Sequence, residues 1–116
     1  MLSITAKHKV YVAVQAIDFR MGIDGLFAVC KNQLALNPLS GHYFIFRNRK
    51  ASAIKILVYD SQGFWLCHKR LSTGRFRYWP KQATACVLLS ATQLHVLLQN
   101  GNPELVETEP AWHTID

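Results

Sequence analysis

Nine lysines and arginines fall between positions 47 and 81 (Arg47, Arg49, Lys50, Lys55, Lys69, Arg70, Arg75, Arg77 and Lys81), with Asp60 the one acid among them, a net of +8. Cations at that density can neutralise successive phosphates of a polyanion. Arg75, Arg77 and Trp79 alternate, so on an extended strand they share a face opposite Phe76 and Tyr78. Two guanidinium groups beside an indole suit nucleic acid, because the cations follow the backbone and the ring stacks on a base. Arg47, Arg49 and Lys50 lie at the far end of a hairpin that could extend the track, and Lys69 and Arg70 lie across a short turn. The candidate DNA-binding residues are therefore Arg47, Arg49, Lys50, Lys69, Arg70, Arg75 and Arg77. A solvated sheet face that uses Lys and Arg for solubility gives the same counts, and Trp65 or Trp79 taken singly fits a core better than a platform.

Catalytic chemistry has no comparable cluster. The five histidines, His8, His42, His68, His95 and His113, form no HxH or HExxH pair. Cys67 and His68 are neighbours on a strand and point to opposite faces, so they cannot act as a thiolate pair. Asp24 suits the first turn of a helix, where the dipole favours a carboxylate, and Asp18-Phe19-Arg20 suits a turn or a salt bridge. Gly22 and Gly25 lack the spacing of a phosphate-cradling loop. Cys30, Cys67 and Cys86 are odd in number and without CxxC spacing, which reads as three reduced thiols among apolar neighbours. The expectation is a protein without catalytic residues, metal or cofactor.

The elements that must position the basic residues follow from periodicity. Val10, Val12 and Val14 alternate with Tyr11, Ala13 and Gln15 as a first strand. Ile23, Leu26, Phe27, Cys30 and Leu34 then recur at helical spacing, with Gly25 hinting at close packing or a bend. From Tyr43 the pattern predicts four antiparallel strands, Tyr43–Arg47, Ala53–Tyr59, Phe64–Leu71 and Arg75–Trp79. In the Asp60-Ser61-Gln62-Gly63 turn, Asp bonds its own backbone and Gly supplies positive φ. Ala85–Leu89 could add a short strand. Ser90-Ala91-Thr92-Gln93 matches a capping box, Leu94, Leu97 and Leu98 give an apolar helix face, and Asn100-Gly101 with Pro103 supplies the stop. The expected fold is α+β, an antiparallel β-meander sheet with a helix before it and a helix after it.

A chain of 116 residues makes one domain, expected over residues 1–101, with an acidic tail over 102–116 that carries Glu104, Glu107, Glu109 and Asp116 and no Lys or Arg. With 50% hydrophobic and 17% charged residues it should bury a core rather than stay disordered. Its longest apolar runs, such as Val10–Val14, span five residues, too few to cross a bilayer, and Gln15, Asp18 and Arg20 break up any signal sequence. A cytoplasmic location with no membrane partner is expected.

The residues carry a resemblance as well. Asp18-Phe19-Arg20-Met21-Gly22-Ile23-Asp24-Gly25-Leu26 resembles the D-x-R-x-G-I-D-G-L segment of the small accessory proteins of insertion sequence 66 elements, often labelled TnpB. Phe44-Ile45-Phe46-Arg47-Asn48-Arg49-Lys50 is similar to that family's F-x-F-R-N-R-[RK], and Lys55-Ile56-Leu57 to its K-x-L. Asp60–Leu66 resembles D-x-x-G-F-W-L, Lys69–Phe76 resembles K-R-L-x-x-G-R-F, and Trp79-Pro80 its W-P. The motifs keep their order over roughly Ala6–Gly101, and Met21 stands where the family usually has a basic residue. The resemblance implies a role in DNA transposition beside a separate DDE-type transposase, and it supplies no catalytic residues. Two functions follow as expectations: a non-enzymatic factor that binds DNA at the element ends, or an adaptor that docks the transposase.

Overall fold

The period-2 valines near the N-terminus build a strand that is buried on both sides, which explains why almost every residue in it is apolar. In the computed structural model, which describes residues 8–106, the elements run β1 (Val10–Ala13), α1 (Ile23–Asn32), β2 (Tyr43–Arg47), β3 (Ala53–Tyr59), β4 (Phe64–Arg70), β5 (Cys86–Leu89) and α2 (Ala91–Leu98), closed by a 3-10 turn at Pro103–Leu105. The five strands form one sheet in the order β4-β3-β2-β1-β5.

The class is α+β, but the sheet is mixed rather than a pure antiparallel meander. β1 pairs with β2 in parallel, Val10 opposite Tyr43 and Val12 opposite Ile45, while β5 pairs with β1 antiparallel. A parallel pair needs a long crossover, and the segment 14–42 with α1 in it provides one. β2, β3 and β4 are the meander, joined by antiparallel ladders.

The fourth meander strand expected at Arg75–Trp79 does not form. Phe76 and Trp79 are both buried, at 2% and 6% exposure, yet they stand three residues apart. On an extended strand residues three apart point to opposite faces, so the chain turns at Arg77-Tyr78 to seat both rings in one core. Trp79 therefore does not share a face with Arg75 and Arg77.

Each face of the sheet has its own helix. Leu26, Val29 and Cys30 of α1 pack on Ala13, Phe44, Phe46 and Leu57. Leu94 and Leu97 of α2 pack on Val10, Val12, Tyr43, Ile45, Ile54 and Leu89, together with Phe76 and Trp79. The alternation within β2 assigns Phe44 and Phe46 to the first layer and Tyr43 and Ile45 to the second. The buried stripe of α1 is narrower than its spacing suggests: Ile23 is 36% exposed, and Leu34 lies past the helix end. Gly25 is where α1 meets its own entry loop, because a Cβ there would stand 3.0 Å from Cβ and Cγ of Met21.

The caps of α2 follow the sequence closely. The Ser90 hydroxyl accepts from Gln93 N–H, and the Gln93 side chain accepts from Ser90 N–H, the reciprocal bonds of a capping box. At the other end Asn100 takes a left-handed conformation at φ 64°, with its N–H on the Leu97 carbonyl and Gly101 N–H on the Val96 carbonyl at 2.8 Å. A side chain at Gly101 would force Val96 to move, since a Cβ would stand 2.8 Å from Val96 Cγ1 and 3.2 Å from its carbonyl oxygen. In the Asp60 turn the left-handed residue is Ser61, at φ 78°, rather than Gly63, and Asp60 Oδ1 accepts from the N–H groups of Gln62 and Gly63. Beyond Gly101, Pro103 is buried and its carbonyl accepts from the Gln93 side chain, so the chain stays on α2 as far as the 3-10 turn. The rest of the expected acidic tail, with Glu107, Glu109 and Asp116, lies outside the described residues. Among the described residues no helix is long and apolar enough to cross a membrane.

Candidate nucleic-acid interface

The carboxyl ends of the parallel strands β1 and β2 open on one side of the sheet, and ligands of sheets with parallel strands commonly bind outside such ends. The loop after β1 and the hairpin after β2 meet there. The hairpin Asn48–Ser52 is set by Asn48, whose Oδ1 accepts from Ser52 N–H at 2.8 Å and Ala53 N–H at 3.2 Å, and by Ala51 at φ 54°. The Ala51 carbonyl then accepts from Phe76 N–H at 2.7 Å, which ties the hairpin to the segment 75–80.

That segment is pinned from below and from the side. Phe76 and Trp79 are its apolar anchors, and the indole Nε1–H of Trp79 donates to the Ala13 carbonyl at 2.8 Å. Asn100 clamps the backbone, its Nδ2 donating to the Arg75 carbonyl at 2.9 Å and its Oδ1 accepting from Arg77 N–H at 3.0 Å. With the backbone held this way, the side chains of Arg75 and Arg77 are left in solvent. The result is a cleft of about 190 Å³ whose wall carries Arg47, Arg49, Lys50, Arg75, Arg77 and Lys81 and no acid. Among the described residues the one ion pair is Arg20 with Asp18, so no cleft cation sits in an ion pair there, although Asp18 also feels the charge of Arg49 across the neighbouring loop.

The expected residues divide into three groups. Arg49, Lys50, Arg75 and Arg77 come together in the cleft. Arg47 lines it but spends its guanidinium on backbone carbonyls, those of Asn48 and Arg49 at 3.3 Å and of Val14 at 3.4 Å, and its Nε is buried without a partner. It brackets the two loops instead of facing a ligand. Lys69 and Arg70 do not line the cleft: Lys69 reaches the Leu98 carbonyl at the end of α2, where a cation offsets the helix dipole, and Arg70 closes β4 opposite Ala53. Lys81 joins the cleft from beyond Pro80. The charge count includes it, but the alternation that picks out Arg75 and Arg77 stops at Trp79 and does not reach it.

A second hollow, of about 390 Å³, adjoins the first between Ala16–Phe19 and Asn48–Lys50, so Arg49 and Lys50 stand between the two. Its loop is held by Lys55, which is 8% exposed in mid-strand without a carboxylate. Lys55 Nζ donates to the carbonyls of Phe19 and Met21 at 2.7 and 2.8 Å and lies 4.8 Å from the centre of the Phe19 ring. Removing the ammonium leaves two inward-facing carbonyls without donors. Lys55→Met is expected to cost about 2–3 kcal/mol in urea unfolding, with the loss of protection confined at first to the loop after β1.

Asp18 and Arg20 form the expected turn, the guanidinium and the backbone N–H of Arg20 both donating to the carboxylate at 2.6–3.0 Å. Those bonds, the side-chain pair first, push the Asp18 carboxyl down from the ordinary 3.8 to about 2. A carboxyl lowered in the folded state adds stability above its unfolded value and loses it as pH falls through the folded one. The pair is expected to persist to about pH 2, which a carbon-13 NMR titration of Asp18 measures.

All three cysteines are free, and burial pushes the Cys30 thiol up to about 12, the behaviour of a packed hydrophobe. Among the described residues no group of three His, Cys, Asp or Glu could hold a metal ion.

Fold and site together define a small mixed-sheet α+β domain with an acid-free basic cleft at the carboxyl ends of its parallel strand pair. The chain belongs to the family described as IS66 Orf2 like protein, whose model matches residues 8–107 and so spans the sheet, both helices and the cleft. It is 39% identical over 90 residues to the uncharacterized protein y4hO of Sinorhizobium fredii, covering 78% of this chain and 77% of that one. It is 33% identical over 72 residues to the uncharacterized protein y4jC of the same organism, covering 62% of each. No solved structure matches the chain. Membership carries with it a role among the accessory proteins of insertion sequence 66 transposition.

Proposed function

We propose that the protein is a non-enzymatic accessory factor of transposition that binds DNA, at the element ends, through backbone contacts from the basic cleft. The observation that carries this reading is convergence. Two segments well separated in sequence, Arg49-Lys50 and Arg75–Lys81, are hydrogen-bonded into one cleft that gathers five cations, Arg49, Lys50, Arg75, Arg77 and Lys81, none of them in an ion pair among the described residues. Phosphates are the ligand that such a row of fixed cations fits. Neutralising about five of them predicts that log affinity falls against log salt with a slope near −4 to −5 on duplex DNA. Binding of the element's terminal repeats and of scrambled duplex, across a salt series, tests it. A flat salt dependence removes the proposal.

The edge strand β4 favours the second reading, because Trp65 is 49% exposed there. On that reading the protein docks the DDE-type transposase of its element without touching DNA, and the two proteins co-purify in the presence of nuclease. The cytoplasm is the proposed location for either role.

A further inference from the structure

We infer that the same site also seats an unpaired base on Tyr78, so that it holds single-stranded or locally opened nucleic acid more tightly than closed duplex. The inference rests on the DNA reading and goes beyond it. Tyr78 follows Arg77 on the loop held by Phe76, Trp79 and Asn100, and it is 44% exposed although its two apolar neighbours are buried. Its hydroxyl makes no hydrogen bond and its ring stacks on no other ring among the described residues. The fold thus holds an aromatic face in solvent on a fixed backbone, two residues from a buried Phe and one from a buried Trp.

A hollow of about 190 Å³ lies against this ring, lined by Arg77, Tyr78, Trp79, Lys81, Asn102 and Glu104. It shares Arg77, Trp79 and Lys81 with the basic cleft but differs in holding an acid. Glu104 forms no ion pair among the described residues, and a carboxylate there repels a phosphate. It can accept from the amino edge of a base, as acidic side chains do from cytosine. The two neighbouring hollows therefore differ in chemistry as the two halves of a nucleotide do: cations alone where the phosphate runs, and an aromatic face with an acceptor where the base lies. A base inside a closed duplex is stacked on both sides and cannot offer its face to Tyr78, whereas an unpaired base can.

The test compares Tyr78→Ala and Tyr78→Phe with the parent and with the Arg75→Gln/Arg77→Gln variant. The probes are a labelled single strand of roughly 12 nucleotides, its blunt duplex, and the same strand carrying 2-aminopurine. Tyr78→Ala is expected to bind the single strand about 5- to 150-fold more weakly, the range for losing one stacked base, with duplex binding and thermal melting unchanged. Tyr78→Phe keeps the parent affinity, and the 2-aminopurine emission changes when the strand binds the parent but not when it binds Tyr78→Ala. If Tyr78→Ala binds the single strand as the parent does while the arginine variant binds weakly, the base site is overturned and the DNA reading stands. If the arginine variant also matches the parent on every probe, the DNA reading fails and the base site with it.

Discussion

Trp79→Ala is expected to destabilise the protein by about 3–5 kcal/mol, read as a lower midpoint in urea with an unchanged slope. The ring fills the core between α2 and the sheet beside Phe76, and its indole N–H is the donor to the Ala13 carbonyl at the end of β1. The substitution removes both the packing and the bond. Trp79→Phe separates them: most of the apolar volume stays, the Ala13 carbonyl loses its partner, and the expected cost drops to about 1–2 kcal/mol. Because the same ring anchors the segment that carries Arg75 and Arg77, Trp79→Ala should also loosen the cleft in whatever fraction stays folded. Trp79→Phe should leave it in place.

The second large effect falls on binding and leaves stability alone. Arg75 and Arg77 are exposed and without acidic partners among the described residues, so replacing both with Gln removes two phosphate contacts and no structural bond. Each contact contributes a factor that scales with salt to roughly the power −0.9, which makes two of them worth about 30-fold in affinity at about 0.15 M salt. The slope of log affinity against log salt flattens by about 2, equally for element ends and scrambled sequence, because phosphate contacts position without specifying. Lys69→Gln/Arg70→Gln is the internal control, since both residues lie outside the cleft. It is expected to keep the parent slope, and a loss there equal to that of the cleft pair would refute the assignment of the site.

Much of this architecture was legible in residue patterns, and the exceptions share a cause. Alternation at Val10–Val14, the aromatic and β-branched run at Tyr43–Arg47, the capping box at Ser90 and the stop at Asn100-Gly101 are local, so each could be read from a few neighbouring positions. Partner choice is not local. Nothing in Val10–Ala13 says that it will lie between β2 and β5, parallel to one and antiparallel to the other. Arg75–Trp79 misled because its alternation is genuine, while the burial of both Phe76 and Trp79 is a demand of the core. The candidate site shows the same division. Residue type pointed to Arg49, Lys50, Arg75 and Arg77, but only the folded chain reveals that Arg47 and Lys69 have given their donors to carbonyls. The resemblance named the family without placing these residues, because a motif records identity and order and leaves open which donors the backbone consumes.

The placement of β1 has a consequence for how the chain comes off the ribosome. Its two neighbours in the sheet are β2, completed at Arg47, and β5, completed only at Leu89. A nascent chain that has made β1 through β4 can assemble four strands and α1, yet the β5 side of β1 remains an open edge with Val10 and Val12 in it. The layer under that edge stays uncovered as well, since Leu94 and Leu97 arrive later still. Closing a pair between opposite ends of the sequence is slow relative to local pairing, and an unpaired apolar edge is where intermediates associate with one another. The last strand and helix thus complete one side of the core in a single late step, and a chain halted before Leu89 is a prime substrate for chaperones and proteases.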